Sequence, residues 1–293
     1  MNRQDILARI PYAIVAIVIV TVCTLFAYTP PMPWVVMVLV ACVGVVATQE
    51  LIRMTDIKGK GDKALLSAMS GLLIATCFCA VRFPSCTSLP FVVFFFFCLL
   101  LFLFRFHRVD GSMYAVGQGI FGLLYVSCPL GLMPYILYAR DPCCEGCAGR
   151  FWFTYLIVVT KMTDMTAYFG GKLFGKRKLV PQVSLGKTVE GGVSGLCGAV
   201  MASWLFYCFG SGFQMHHYGL GVGLLAGAAS GVIGQIGDLA ESLLKRDAGI
   251  KDSNSLPGLG GVLDMIDSLL FTTVALYLFL RFSGGGRVVG GWG

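Results

Sequence analysis

Residues 237–268 read GDLAESLLKRDAGIKDSNSLPGLGGVLDMIDS, and they concentrate acidic and basic side chains in a chain that is otherwise mostly apolar. Hydrophobic residues make up 57% of the 293 residues, and the mean hydropathy is +0.80. A charged side chain at bilayer depth is costly and is usually retained for a function. This stretch is therefore the first candidate for a functional site.

Apolar segments of ~20 residues recur along the whole chain, and each is long enough to cross ~30 Å of hydrocarbon. We predict an all-α integral membrane protein, a polytopic bundle of about nine transmembrane helices. The predicted spans are Ile10–Thr29, Pro33–Leu51, Ala64–Val81, Leu89–Phe104, Val116–Ala139, Phe151–Gly171, Gly192–Gly212, Tyr218–Glu241 and Val262–Phe282.

The connections between these spans are too short to fold as a separate soluble domain. We therefore expect residues 1–293 to form a single transmembrane domain. Within it, residues 1–150 hold scaffold spans, residues 151–282 form the catalytic half, and residues 283–293 form a Gly-rich tail. The first span resembles a signal peptide, but its length and its lack of a small-x-small cleavage site favour a retained anchor.

Basic residues accumulate in the cytoplasmic loops of membrane proteins. If the N-terminus is inside, sixteen of the 22 Lys and Arg residues fall in inner segments and five in outer segments, with Lys161 left inside a span. We therefore expect the N-terminus inside and the C-terminus outside. The same rule explains the net charge of +7, so no nucleic-acid partner is predicted.

Carboxylates from three predicted spans fall at one depth. Asp238 precedes Lys245 by seven residues, which places it ~10 Å below the cytoplasmic surface. Asp164 reaches a similar depth on span six, and Asp264 and Asp267 occupy the first two turns of span nine. Carboxylates so close together repel one another and resist ionisation. Oxygen-rich acidic sites suit Mg²⁺, which commonly bridges to substrate phosphates, so we predict metal-assisted phosphate chemistry.

Two alternatives stay open for individual charges. Glu241 and Lys245, four residues apart, can neutralise each other on one helix face. Lys161 and Asp164, three residues apart, can likewise form a structural ion pair within span six. Pairs of this kind would stabilise the fold without any metal.

A basic, Gly-rich connection, residues 170–192 (GGKLFGKRKLVPQVSLGKTVEGG), follows span six. Ser184, Lys187 and Thr188 lie close together in it, and glycine-freed backbone N–H groups, a lysine and hydroxyls suit a polyphosphate. Gly-Lys-Thr alone is weak evidence, because Pro181 stands where a P-loop has its first glycine and no βαβ context is present. Additional positive charge for phosphates comes from Lys245, Arg246 and Lys251.

Four of the twelve cysteines lie on the predicted external side: Cys86, Cys143, Cys144 and Cys147. Inert thiols, a disulfide favoured by an oxidising exterior, and metal ligands all stay open for this group. Its spacing matches no standard zinc pattern. The other eight lie within predicted spans, where cysteines behave as small hydrophobes.

Residues 241–268 resemble the signature of phosphatidate cytidylyltransferases, the integral-membrane CDP-diacylglycerol synthases. The matching positions are Ser242, Lys245, Arg246, Lys251, Asp252, Pro257, Gly258, Gly260, Gly261, Asp264, Asp267 and Ser268. An upstream block is similar to the same family at Asp164, Ala167, Tyr168, Phe169, Gly170, Gly175, Ser184, Lys187, Thr188, Glu190 and Gly191. The chain departs from the family pattern at Leu259 (His in the family), Met265 (Arg), Leu185 (Pro) and Gly186 (Lys).

The resemblance implies that CTP and phosphatidic acid give CDP-diacylglycerol and pyrophosphate at the cytoplasmic face of a bacterial inner membrane. It implies Mg²⁺ as cofactor and membrane lipid as partner; a second, monovalent cation and a homodimer are left open. The predicted metal ligands are Asp238, Asp264, Asp267 and Asp164. The implied catalytic residues are Lys245, Arg246, Lys251 and Asp252, and the implied substrate-binding residues are Ser184, Lys187, Thr188 and Glu190.

Two other functions were weighed. A different membrane transferase acting on a polyprenyl phosphate would share the combination of aspartates and Mg²⁺, and only the family-like blocks argue against it. A cation-coupled transporter is less favoured, because transporters tend to have paired repeats and a midplane site. This chain has no evident internal repeat, and its acids cluster near one face.

Overall fold

A computed structural model of the chain describes residues 3–55, 57, 59–106, 110–139, 147–209, 219–250 and 261–282. The helices in these ranges are α1 Arg3–Leu25, α2 Met32–Arg53, α3 Lys60–Arg82, α4 Leu89–Arg105, α5 Ser112–Gly122, α6 Cys128–Leu137, α7 Cys147–Phe174, α8 Val189–Phe209, α9 Gly219–Asp247 and α10 Val262–Phe282. A 3₁₀ turn, Pro84–Cys86, precedes α4, and a π-helical turn, Leu123–Ser127, joins α5 to α6. Several residues of the sequence analysis fall outside the described ranges: Cys143, Cys144, Lys251, Asp252, Pro257, Gly258, Leu259, Gly260 and the tail 283–293.

The predicted all-α fold is confirmed. Seven helices in the described part of the chain are long and apolar enough to cross a membrane. They are Met32–Arg53, Gly61–Arg82, Pro84–Arg105, Ser112–Leu137, Val189–Phe209, Gly219–Asp247 and Val262–Phe282. Two predicted spans are not among them. The described apolar part of the first, Ile14–Leu25, is shorter, and α7 carries Arg150, Lys161, Asp164 and Lys172. The count of nine spans and the orientation of the termini stay predictions.

Glycine and proline mark several helix boundaries. Pro33 and Pro90 stand in the first turns of α2 and α4, where a missing backbone N–H costs nothing. Gly111 precedes α5 with φ 68°, and Gly249 follows α9 with φ 69°. Glycine adopts this left-handed conformation without steric cost. Gly111 therefore allows the turn that precedes α5, and Gly249 allows the turn that follows α9.

The chain divides into two compact units, and the first contains the described residues of Met1–Tyr135 and Ile250–Met265. Apolar side chains from α2 to α5 and the π-helical turn form its core: Ile52, Leu66, Met69, Leu73, Phe97, Leu101, Val116 and Leu123. Hydroxyls are hydrogen-bonded to one another beside this core. Thr48 donates to Ser70 at 2.9 Å, and Ser127 donates to Ser70 at 2.8 Å. Their polar groups are thereby satisfied away from water.

The second unit contains the described residues of Ile136–Gly249 and of α10 from Ile266 onward. Small residues let its helices approach closely. A Cβ placed on Gly195 of α8 would lie 3.2 Å from the Thr163 carbonyl oxygen of α7. A Cβ on Gly237 of α9 would lie 2.7 Å from the Asp267 carbonyl oxygen of α10. The backbones of α9 and α10 therefore touch next to two of the predicted site residues, Asp238 and Asp267.

A two-stranded antiparallel hairpin stands between α7 and α8, where the sequence analysis predicted only a loop. Strand β1 is Lys178–Val180 and strand β2 is Ser184–Thr188, with Lys178 opposite Thr188. The Val183 N–H donates to the Val180 carbonyl at 3.1 Å and closes the turn. The hairpin contacts α7, α8 and α9, so it is part of the packed second unit.

Candidate active site

Three of the predicted metal ligands come together in the second unit, each on a different helix. Asp164 lies on α7, Asp238 on α9 and Asp267 on α10. The Asp267 side chain is buried, at 5% exposure, and it lies within electrostatic reach of Asp238, Asp164 and Lys161. Like charges at such range destabilise one another unless cations offset them. The arrangement therefore needs cations close by.

Two lysines supply that positive charge. Lys187 Nζ lies 2.8 Å from Asp238 Oδ2, and Lys161 Nζ lies 3.1 Å from Asp164 Oδ2. The Asp164 Oδ2 atom also accepts a hydrogen bond from the Ser268 hydroxyl at 3.0 Å. The pair between Lys161 and Asp164 is one of the alternatives that the sequence left open, and it is present here.

The hairpin positions Lys187, and two other predicted site residues, Thr188 and Glu190, make hydrogen bonds at its base. The Glu190 carboxylate accepts the backbone N–H groups of Lys176 at 3.0 Å and Arg177 at 3.2 Å. Thr188 Oγ1 accepts the Gly191 N–H at 3.1 Å, which is the usual N-cap bond of a helix. Direct contact of Thr188 and Glu190 with substrate, and of Ser184 on β2, stays a prediction.

The C-terminal turns of α9 carry two more predicted catalytic residues. Lys245 Nζ lies 2.8 Å from Glu241 Oε2, and the Glu241 side chain is almost fully buried, at 2% exposure. This pair is the second alternative that the sequence left open. Arg246 Nε donates to the Val183 carbonyl at 3.1 Å, which ties α9 to the turn of the hairpin. Both cations are therefore engaged within the protein in this conformation.

The fourth predicted metal ligand, Asp264, lies in the first turn of α10 and belongs to the first unit. Its Oδ2 atom accepts the Gly261 N–H at 3.2 Å. The next two N–H groups of this turn donate to Glu50 of α2, from Val262 to Oε1 at 2.8 Å and from Leu263 to Oε2 at 2.7 Å.

The sequence analysis did not single out Glu50. Its signal was present in the sequence, since Glu50 is the one acidic residue in the predicted span Pro33–Leu51. The rule that marked Asp238, that charge in an apolar helix is retained for a purpose, applies to it equally.

Comparison with known proteins places the chain in a family. The model of the cytidylyltransferase family matches residues 8–283. The chain belongs to the cytidylyltransferase family. The predicted family is thereby confirmed, and with it the enzyme class, a nucleotidyltransferase.

Individual relatives agree with this assignment. The chain is 35% identical over 269 residues to the phosphatidate cytidylyltransferase of Chlamydia trachomatis serovar D, a match that covers 89% of this chain and 88% of the relative. It is 40% identical over 185 residues to the phosphatidate cytidylyltransferase of Chlamydia pneumoniae, covering 61% of this chain and 59% of that relative. A 133-residue match to the Bacillus subtilis phosphatidate cytidylyltransferase is 44% identical and covers 45% and 48% of the two chains.

Asp164, Asp238 and Asp267 carry the oxygen donors that Mg²⁺ prefers. Within the described ranges, no three or more His, Cys, Asp and Glu side chains are close enough to form a complete metal site. Mg²⁺ is usually held by one or two carboxylates plus substrate phosphates, with waters completing its shell. Asp238 and Asp267, with Asp164 beside them, are carboxylates of that type, and Lys187 and Lys161 pair with two of them in this structure.

Proposed function

We propose that this chain transfers the cytidylyl group of CTP to phosphatidic acid and so makes CDP-diacylglycerol and pyrophosphate. The observation that carries the proposal is the ion pair between Lys187 and Asp238 beside the buried Asp267. It puts a cation of the upstream family-like block next to carboxylates of the type that bind Mg²⁺. The names of the relatives supply the two substrates.

The reaction needs no covalent enzyme intermediate, because the lipid phosphate is itself the nucleophile. One of its oxygens attacks the α-phosphorus of CTP in line, and a new P–O bond forms. The bond from the α-phosphorus to the bridging oxygen breaks, and its electron pair leaves with pyrophosphate. Catalysis of such a transfer depends mainly on positioning the phosphates and offsetting their charge.

The proposed roles follow from where the charges lie. Mg²⁺, when bound, would supply positive charge to the phosphates of CTP. Asp238 and Asp267 are its proposed ligands, with Asp164 beside them. Asp264 is proposed as a further metal ligand from the sequence alone. Lys187, which pairs with Asp238 in this structure, would then be available to a phosphate. The other proposed phosphate cations are Lys245, Arg246 and Lys251.

We further propose that the site faces the cytoplasm of a bacterial cell, in its inner membrane, with the N-terminus inside. The excess of Lys and Arg in the predicted inner segments supports this orientation. A water-soluble nucleotide then reaches the site from the cytoplasm, and the lipid enters from the bilayer.

Pyrophosphate release by the purified protein in detergent tests the proposal. CTP, phosphatidic acid and Mg²⁺ are supplied together and then omitted one at a time, and CDP-diacylglycerol is identified by mass spectrometry. We expect product only when all three are present. Release without phosphatidic acid, or release only with a polyprenyl phosphate as acceptor, would contradict the assignment.

A further inference from the structure

The Glu50 carboxylate is fully buried in α2, at 0% exposure. An ionised carboxylate away from water is strongly unfavourable unless hydrogen bonds compensate it. Here both oxygens are used, one on the Val262 N–H at 2.8 Å and one on the Leu263 N–H at 2.7 Å. The carboxylate therefore bridges α2 to the first turn of α10.

The bonded groups are the ones that a helix leaves without internal partners. The first N–H groups of an α-helix have no carbonyl to accept them, and the same end carries partial positive charge that favours an anion. Side chains within a helix usually satisfy these groups from nearby in sequence. In α10 the Gly261 N–H bonds Asp264 at 3.2 Å, whereas the next two are satisfied from a separate helix.

We propose that Glu50 is a positioning residue for the acidic first turn of α10. By holding two successive N–H groups it fixes the backbone of this turn, and Asp264 is the residue that follows Leu263. The orientation of the Asp264 carboxylate then depends on a side chain that does not itself contact the substrates. The role as a metal-positioning residue rests on the proposed function, in which Asp264 is one of the acids for Mg²⁺.

The test uses Glu50→Gln in the full-length protein, purified in detergent. Glutamine keeps the shape and one carbonyl oxygen, but it turns an NH₂ group toward a backbone N–H and removes the charge. Amide hydrogen exchange of peptides covering residues 261–267 reports the order of the turn without any substrate. Electron paramagnetic resonance titration with Mn²⁺ alone reports metal affinity, and kcat and KM for CTP report catalysis.

Thr48→Val is the matched control. Thr48 is also buried in α2, and its hydroxyl bonds Ser70 of α3 at 2.9 Å rather than α10. The Thr48→Val substitution removes a buried hydrogen bond from the same helix, so it measures the effect of a purely structural loss.

In Glu50→Gln we expect faster exchange at residues 261–267 and a loss of Mn²⁺ affinity of about 10- to 100-fold, the range for residues that orient metal ligands. The kcat falls in parallel, whereas KM for CTP changes less. Thr48→Val keeps the wild-type Mn²⁺ affinity and kcat, even where its melting temperature drops. If Glu50→Gln does not fold, Glu50→Asp takes its place. Aspartate keeps the charge but is one methylene shorter, so we expect smaller changes in exchange, Mn²⁺ affinity and kcat in the same direction.

Unchanged exchange at residues 261–267 would overturn the proposal. So would faster exchange with wild-type Mn²⁺ affinity and kcat, since Glu50 would then be structural only. A wild-type protein that makes no CDP-diacylglycerol would instead contradict the proposed function. The exchange and Mn²⁺ readouts need neither substrate, so the two failures are distinguishable.

Discussion

Lys187 of the hairpin and Asp238 of α9 form an ion pair, with Nζ 2.8 Å from Oδ2. The Lys187 ammonium group offsets the negative charge of the Asp238 carboxylate while no phosphate is bound. The Asp238 side chain is partly exposed, at 40%, whereas the Nζ atom of Lys187 is buried. In the proposed function, a substrate phosphate would take the place of the Asp238 carboxylate beside Lys187.

We expect Asp238→Asn to lower kcat by more than about 100-fold, since it removes a proposed metal ligand rather than a residue that only orients one. The substitution conserves size, so the protein should still be recovered from the membrane fraction. Pyrophosphate release measures the effect. Asp247→Asn, at the exposed C-terminal end of the same helix, is the control and should keep wild-type turnover. Equal turnover in both variants would remove Asp238 from the site.

Lys187→Met should mainly weaken the interaction with CTP. It deletes the cation that the hairpin places beside the acids, and we expect kcat/KM for CTP to fall about 10- to 100-fold, or about 1.4–3 kcal/mol of lost transition-state stabilisation. Initial rates over a range of CTP concentrations measure it. Lys172→Met, which removes an exposed lysine at the end of α7, should change kcat/KM little. A Lys187→Met enzyme with normal kcat/KM would mean that Lys187 serves only to neutralise Asp238.

Gly237→Ala should destabilise the second unit and lower activity. The new Cβ would lie 2.7 Å from the Asp267 carbonyl oxygen and 3.2 Å from Phe271 Cδ2, so α9 and α10 must separate. Overpacking of this kind costs about 1–3 kcal/mol. Thermal unfolding in detergent and turnover measure both effects. Gly221→Ala, on the same helix with no atom within 4 Å of its Cβ, should be neutral or stabilising. Comparable melting temperatures for the two variants would contradict the close approach.

Removal of divalent metal should stop the reaction reversibly. After treatment with EDTA we expect no pyrophosphate release, and added Mg²⁺ should restore it. Metal that binds only the folded protein also raises stability, by about 2.7 kcal/mol at 100 times its Kd, so the melting temperature should rise with Mg²⁺. Asp267→Asn should require more Mg²⁺ for the same rise. Full turnover in EDTA would show that the acids serve another purpose.

The helices could be predicted from sequence because apolar runs of membrane length leave the backbone few alternatives. The gathering of Asp164, Asp238 and Asp267 also followed from counting residues along the predicted spans. The lower count of apolar spans has a physical reason: α7 carries the charges of the site itself, so composition alone does not mark it as a membrane span.

Other features could not be predicted because they depend on tertiary contacts. The bond from Val262 to Glu50 joins residues 212 positions apart, and no local pattern specifies it. The hydroxyl of Thr188 suits a phosphate and suits its own helix N-terminus equally well, since threonine readily bonds nearby backbone groups. Sequence identified Thr188 as polar and well placed, and only the fold showed which partner it has in this structure.

The contact between Gly237 and the Asp267 carbonyl is made by main chain on both sides. Main-chain atoms of α10 therefore limit how closely α9 approaches next to Asp238. Substitutions at exposed positions of α9 and α10 would leave this approach unchanged, because exposed side chains do not take part in it. A single methyl group on residue 237 would instead press against the α10 backbone beside Asp267.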